Sequence, residues 1–417
     1  MELKPRADVL VIGGGIIGAS CARELASRGA QVTLLERGDP GFGCSYGNAG
    51  WVTPCFAMPL PMPGMLMKSV RWLLDPESPL YIRPQVSPVL MRWLLGFLVS
   101  MRTGKARRAV AALTEISNYS LKSYSDLNER SPGIISFRKD GLLMAAQTAG
   151  GLASARREME WVAPHGIQGR EVTEEEARVL EPALMGRIQG GVHFPAEAHL
   201  EPLATVQALI NEARALGARI VSGAEAYDVE QINGSVSRVL TTRGPIEAKE
   251  VVLATGTWSP VLAKRLGIRV PVLGGKGYAV TVPVFEPGPR APIMLIERKI
   301  AVTPRAGSVR LAGTLELVNQ DFGISPRRVT AILKGARTFL NLPEEPRILE
   351  LWRGLRPCTP DGVPIIGRSP RQKNVVLATG HQMLGIQSAP GTARLVADLV
   401  LGAQPAFDPR PFRAERF

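Results

Sequence analysis

"ADVLVIGGGIIGASCARELASRGAQVTLLE", residues 7–36, reads as strand, glycine turn, helix and second strand. The apolar run at 9–12 leads into Gly13, Gly15 and Gly18 in GxGxxG spacing, and a second apolar run follows at 32–35. This is the dinucleotide-binding arrangement. The first glycine allows a tight turn, the second lets backbone approach a pyrophosphate, and the third lets the helix pack against the strand. Free N–H groups at the helix start, around Ile16 and Ile17, suit phosphate. Glu36 ends the second strand at the distance expected for a ribose hydroxyl acceptor, with Arg37 beside it.

An acid at that position fits either NAD or FAD, and two further stretches favour FAD. In "EVVLATGTWSP", 250–260, a buried strand ends in Ala254, Thr255 and Gly256, with Trp258 following. No second GxGxxG occurs to hold a separate nicotinamide cofactor. In "CSYGNAGWVTP", 44–54, a loop of mostly small residues carries Ser45, Asn48, Ala49, Gly50 and Trp51, which are expected to lie against a flavin ring.

Length and composition agree with a folded two-domain protein: 417 residues, 45% hydrophobic and 21% charged. The cysteines Cys21, Cys44, Cys55 and Cys358 form no CxxC pair, and the histidines His165, His193, His199 and His381 are scattered, so no metal site and no disulfide framework is expected. The formal charge of +13 comes from Lys and Arg spread along the chain without aromatic interleaving. That argues against nucleic acid and is compatible with an acidic membrane surface. "MELKPRA" runs directly into the first strand, so no signal peptide is expected; the expected location is cytoplasmic, peripheral on the inner face of the membrane.

The C-terminal run "WRGLRPCTPDGVPIIG", with "NVVLATGHQMLGIQSAPGTARLVADLVLG" after it, completes a set with the three motifs above. Together with "SPLYIRP" (78–84), "FPAEAHLEP" (194–202) and "GKGYAVTVP" (275–283), the chain resembles the D-amino-acid oxidase superfamily, and within it the small-subunit bacterial D-amino-acid dehydrogenases. The resemblance implies an α/β plus α+β protein. A Rossmann-like two-dinucleotide-fold FAD domain would be assembled from 1–57, 195–268 and 345–417. A substrate domain would comprise 58–194 and 269–344. Residues 203–216 are helix-periodic, Asn233-Gly234 signals a hairpin, and 270–314 alternates as an antiparallel sheet does.

The resemblance also implies a function: oxidative deamination of D-amino acids by hydride transfer from the α-carbon to flavin N5, with a small amino acid as substrate and a quinone or another electron-transfer acceptor as partner. It assigns Arg356 of "GLRP" to the substrate carboxylate, which a planar guanidinium can hold bidentately. From the segment alone, a structural ion pair explains that charge equally well. Arg353, three residues earlier in an extended strand, projects to the other face. Tyr278 of "KGY" is read as a second carboxylate contact or a core tyrosine, and His381 as facing substrate or flavin or as a structural hydrogen bonder. Backbone N–H groups at Leu384 and Gly385, backed by a helix start, would meet the flavin N1–C2 carbonyl region. Cys358 is a further candidate, for covalent flavin attachment.

Two positions depart from the family pattern: Glu201 in "HLEP" and Gln382 in "TGHQ". Other readings are a D-proline, hydroxyproline or other imino-acid dehydrogenase, a glycine or sarcosine oxidase, and a flavin-holding subunit of a larger complex. Residues 60–108 form a basic amphipathic insert with Trp72, Trp93 and the cluster Arg102, Lys105, Arg107 and Arg108. Its apolar run at 89–101 is too short to span a bilayer. Either these helices cover the substrate domain, or they lie on a membrane surface.

Overall fold

The computed structural model describes residues 6–64, 80–82, 87–318 and 320–417. Strand Arg6–Ile12, helix Ile16–Ser27 and strand Val32–Leu35 form as read, with the two strands parallel. Gly244–Leu253 lies parallel to Arg6–Ile12 on its other side, and Val375–Thr379 runs parallel to Gly244–Leu253. Residues 9–12 are all buried. Val9 and Val11 meet Leu25, Leu209 and Val396 on one face, whereas Leu10 and Ile12 meet Val239 and Leu262 on the other. Burial on both faces explains why the run is continuously apolar and does not alternate. The Asn233-Gly234 hairpin joins strands Ala226–Ile232 and Ser235–Thr241, with φ of 51° and 74° at the two turn residues.

A second sheet runs from Glu350–Cys358 through Leu273–Pro283, Ser308–Val318, Ile300–Arg305 and Ile293–Leu295 to Leu142–Ala146, Gly190–Phe194 and Arg170–Val172. The alternating region after residue 270 supplies four of these strands. Two placements differ from the sequence expectation. Glu350–Cys358, inside the segment assigned to the FAD domain, pairs antiparallel with Leu273–Pro283 and so belongs to the second sheet. Helix Thr103–Arg130, assigned to the substrate domain, packs on helix Gly385–Val400 of the first. Tyr124 OH donates to Ile386 O (2.9 Å), and a Cβ at Gly391 would stand 2.6 Å from Ile116 O, so the two backbones meet at a contact that only glycine permits.

The first helical part of the insert, with Trp72, lies outside the described residues. Its second part is helix Pro88–Ser100, capped by Ser87, which accepts from Leu90 N–H. Leu90 and Trp93 turn inward against Leu273, Leu315 and Leu317, while Met91, Leu95 and Leu98 stay exposed. Among the described residues no helix is long and apolar enough to cross a membrane.

Candidate active site

The glycine turn opens one end of a cavity at the carboxyl ends of the parallel strands, where α/β sheets bind ligands. Gly13 has φ +110°, and a Cβ there would stand 2.4 Å from Ala254 O. A Cβ at Gly18 would stand 1.8 Å from Gly13 O, so strand, turn and helix close on one another only without side chains. Glu36 Oε2 accepts from Gly14 N–H (2.7 Å) and Oε1 from Gly38 N–H (3.0 Å), which fixes the carboxylate at the cavity wall. Gly13, Gly15, Ile16, Ile17, Glu36, Arg37, Ser45, Asn48, Ala254, Thr255, Gly256, Trp258 and Gly385 all line this one cavity. The N-cap residue of the helix, Gly15, has no side chain to cap it. Helix start, glycine cradle and acid together fit the diphosphate and ribose of FAD.

The loop at 44–51 divides in two. Ser45 Oγ accepts from Ile16 N–H (3.0 Å), tying the loop to the helix start, and Asn48 Nδ2 donates to Met383 O (3.3 Å). Beyond Asn48 the expected flavin contacts turn away. Trp51 pairs with His199 in a short two-stranded sheet and donates from Nε1 to Thr303 Oγ1 (2.8 Å). Ala49 O accepts from Thr303 Oγ1, and Gly50, with φ +80°, packs on Leu200 O. These three residues tie the short two-stranded sheet to the second sheet and do not line the cavity. Arg310, only 2% exposed, holds the loop by donating from Nη1 to Tyr46 O and Asn48 O, both at 3.0 Å. Its signal in the sequence was a guanidinium inside an apolar strand, as at Arg356.

Strand parity sorts the residues around Arg356. Leu355 and Pro357 line the cavity, whereas Arg356 faces the other way with Trp352 and Cys358. Its guanidinium lies over Gly277, where a Cβ would stand 1.9 Å from Nη1, and Nη1 donates to Thr314 O (2.7 Å). Its titratable neighbours are the thiols of Cys44 and Cys358; among the described residues no carboxylate pairs with it. Burial lowers its pKa. Cys44 lines the cavity and has the Arg356 guanidinium as a neighbour on its far side; burial lifts the Cys44 thiol to about 11, and Arg356 opposes that rise. Arg353 projects to the opposite face, as parity requires, where it donates to Phe322 O (2.8 Å) and stacks on that ring. Phe322 stacks in turn on Trp258, and Arg37 lies 3.9 Å above Trp258, so a four-member column links the two sheets beside the cavity.

Tyr278 is a core tyrosine and makes no part of the cavity wall. It is 0% exposed, lies in the second sheet's core, donates from its hydroxyl to Glu316 Oε2 (3.1 Å) and accepts from Ser325 N–H (3.2 Å). One residue beyond Gly277 in a strand, it faces away from Arg356. Glu201, the departure in "HLEP", ion-pairs with Arg305 and has no place in the cavity. Cys358 packs with Leu90, Trp93 and Leu273, away from the cavity, and burial pushes its thiol up to about 12.

His381 does line the cavity, but its Nε2 is within 3.0 Å of Thr392 Oγ1 and burial lowers its pKa to about 3, so it is neutral at ordinary pH. Leu384 N–H donates to His381 O (2.9 Å) and is thus taken up within the turn; Gly385, the first residue of helix Gly385–Val400, is the member of that expected pair that reaches the cavity. Gln382, which the sequence marked only as a departure, lines the cavity as well. The missed wall residues Leu355 and Pro357 were legible in principle, since alternation places Arg356's neighbours on its opposite face.

The model of the family described as "FAD dependent oxidoreductase" (DAO) matches residues 8–399. A protein named D-amino acid dehydrogenase from Chromohalobacter salexigens is 32% identical over 98% of this chain and 99% of its own length. D-amino acid dehydrogenase 2 from Ralstonia nicotianae is 34% identical over 98% of this chain and 100% of its own length. Among solved structures, glycine oxidase from Geobacillus kaustophilus superposes with a TM-score of 0.80 at 25% identity, covering 99% of this chain and 100% of its own.

Proposed function

The chain belongs to the FAD dependent oxidoreductase (DAO) family, and on that premise we propose that it oxidises D-amino acids to imino acids, which water converts to 2-oxo acids and ammonia. The two electrons pass on to a quinone or other acceptor. The carrying observation is Arg356: a guanidinium neighbouring the cavity-lining Cys44, donating to one backbone carbonyl, with no carboxylate partner among the described residues. The residue is half-buried, so an unpaired charge there carries a desolvation cost, and the substrate's carboxylate supplies the pair.

Bound FAD provides the two-electron sink that takes hydride from the α-carbon. The chain's part is orientation and electrostatics. Arg356 fixes the plane of the carboxylate, Gly277 leaves room for the guanidinium, and Leu355, Pro357 and Ile386 give the cavity an apolar wall that excludes water. His381 moves no proton, because it is held neutral and tied to Thr392. Anaerobic mixing tests the reading. D-Amino acids are expected to bleach the flavin while their L-enantiomers do not, with dye reduced faster than dissolved oxygen. Bleaching by glycine, sarcosine or proline analogues in place of D-amino acids would transfer the assignment to those substrates.

A second reading concerns location, and it rests on the two-sided helix Pro88–Ser100. Its exposed Met91, Leu95 and Leu98 share this stretch of the chain with the exposed Arg92, Arg102, Lys105, Arg107 and Arg108. Apolar side chains beside basic ones suit an acidic lipid surface, where a lipid-soluble acceptor would be met. Vesicles containing acidic lipid should carry the protein on flotation at low salt, and high salt or Arg107→Glu with Arg108→Glu should release it. Absence of flotation at low salt would end this reading.

A further inference from the structure

Gln382 sits in the turn between strand Val375–Thr379 and helix Gly385–Val400. Its N–H donates to Pro357 O (3.1 Å), which pins the residue between the Arg356 strand and the helix start. The side chain is 5% exposed and lines the same cavity as Gly13, Thr255 and Gly385. Its Nε2 is buried without any hydrogen-bond partner. Buried amide donors are ordinarily satisfied, so an orphan in a ligand cavity points to a ligand acceptor. The backbone adds to the case: φ is +51°, a conformation that favours glycine, so the side chain is held there against local preference.

We propose that Gln382 Nε2 donates a hydrogen bond to an acceptor on the isoalloxazine ring of bound FAD and thereby favours the reduced ring over the oxidised one. The flavin, and not the substrate, is the partner because Gln382 shares its wall with the dinucleotide cradle, whereas Arg356 faces the other side of its strand. Two-electron reduction places additional negative charge on the pyrimidine end of the ring, so a fixed neutral donor binds the reduced form more tightly. Gln382 is a positioning and tuning residue in this account and transfers no proton. The proposal rests on FAD binding and not on the identity of the substrate.

The test measures the midpoint potential of the purified holoprotein by dye-coupled reductive titration, without substrate, for wild type, Gln382→Gly and Gln382→Leu. Glycine suits the left-handed backbone and should preserve the fold. Both variants are expected to keep FAD and to lose about tenfold in preference for the reduced ring, a drop of about 30 mV for a two-electron couple. An unchanged potential in Gln382→Gly would overturn the proposal, as would failure of that variant to hold FAD, which would make Gln382 a structural residue. Failure of every D-amino acid to bleach the flavin would leave this measurement intact.

Discussion

Arg356→Met is expected to retain FAD and to lose two to more than three orders of magnitude in kcat/KM, since ~3 to 5 kcal/mol of buried charge pairing with the substrate is removed. Methionine fills much of the same space without charge, so the strand should keep its register against Leu273–Pro283. Retained flavin separates loss of substrate grip from loss of fold. Gly277→Ala gives the same result by another route: its Cβ would occupy the place of Nη1, at 1.9 Å, and push an intact guanidinium aside. Stopped-flow reduction of both variants with D-amino acid reads the effect. Near-normal kinetics in either would return Arg356 to a structural role.

Gly18→Ala is expected to yield protein without flavin. The added methyl would lie 1.8 Å from the carbonyl oxygen of Gly13, a backbone atom that cannot step aside without opening the turn. Overpacking of this kind costs ~1 to 3 kcal/mol in stability, and the displaced turn no longer presents its backbone to the diphosphate. Gly104→Ala is the control: it lies in helix Thr103–Arg130 with open space around it, so alanine there should be neutral or stabilising by up to ~1 kcal/mol. Absorbance of the purified variants in the flavin band, together with their thermal midpoints, decides the matter. A fully loaded Gly18→Ala would show that the close approach is dispensable.

What the sequence made legible was local or periodic. The glycine turn, the acid at Glu36, the Asn233-Gly234 hairpin and the strand end at 254–256 each announce themselves within about thirty residues, and the structure brings Gly13, Gly15, Glu36 and the strand end to one cavity. Misplacements came from parity and from distant partners. Tyr278 is one residue from Gly277, and one residue in a strand is the difference between facing Arg356 and facing Glu316. Trp51 belongs to a motif whose first half serves the cavity, but its partners His199 and Thr303 are far along the chain. The same holds for helix Thr103–Arg130, whose apolar face shows that it packs without showing against what. Arg356 itself drew notice as a charge in an apolar strand. The absence of a carboxylate beside it depends on Gly277 and Thr314, which no local reading reaches.

The parallel row has a consequence for biosynthesis. Strand Val375–Thr379 is the neighbour of Gly244–Leu253 at its buried end, and helix Gly385–Val400 covers the face of the sheet. Both follow Gly244–Leu253 in the sequence and are therefore synthesised after it. Until they arrive, Leu253 and its neighbours present an unpaired strand edge and the cavity has neither its far wall nor the Gly385 turn. A nascent chain in that state is open to wrong pairing and aggregation. Productive capture of FAD therefore waits until residues 375–400 have been made and have closed the cavity.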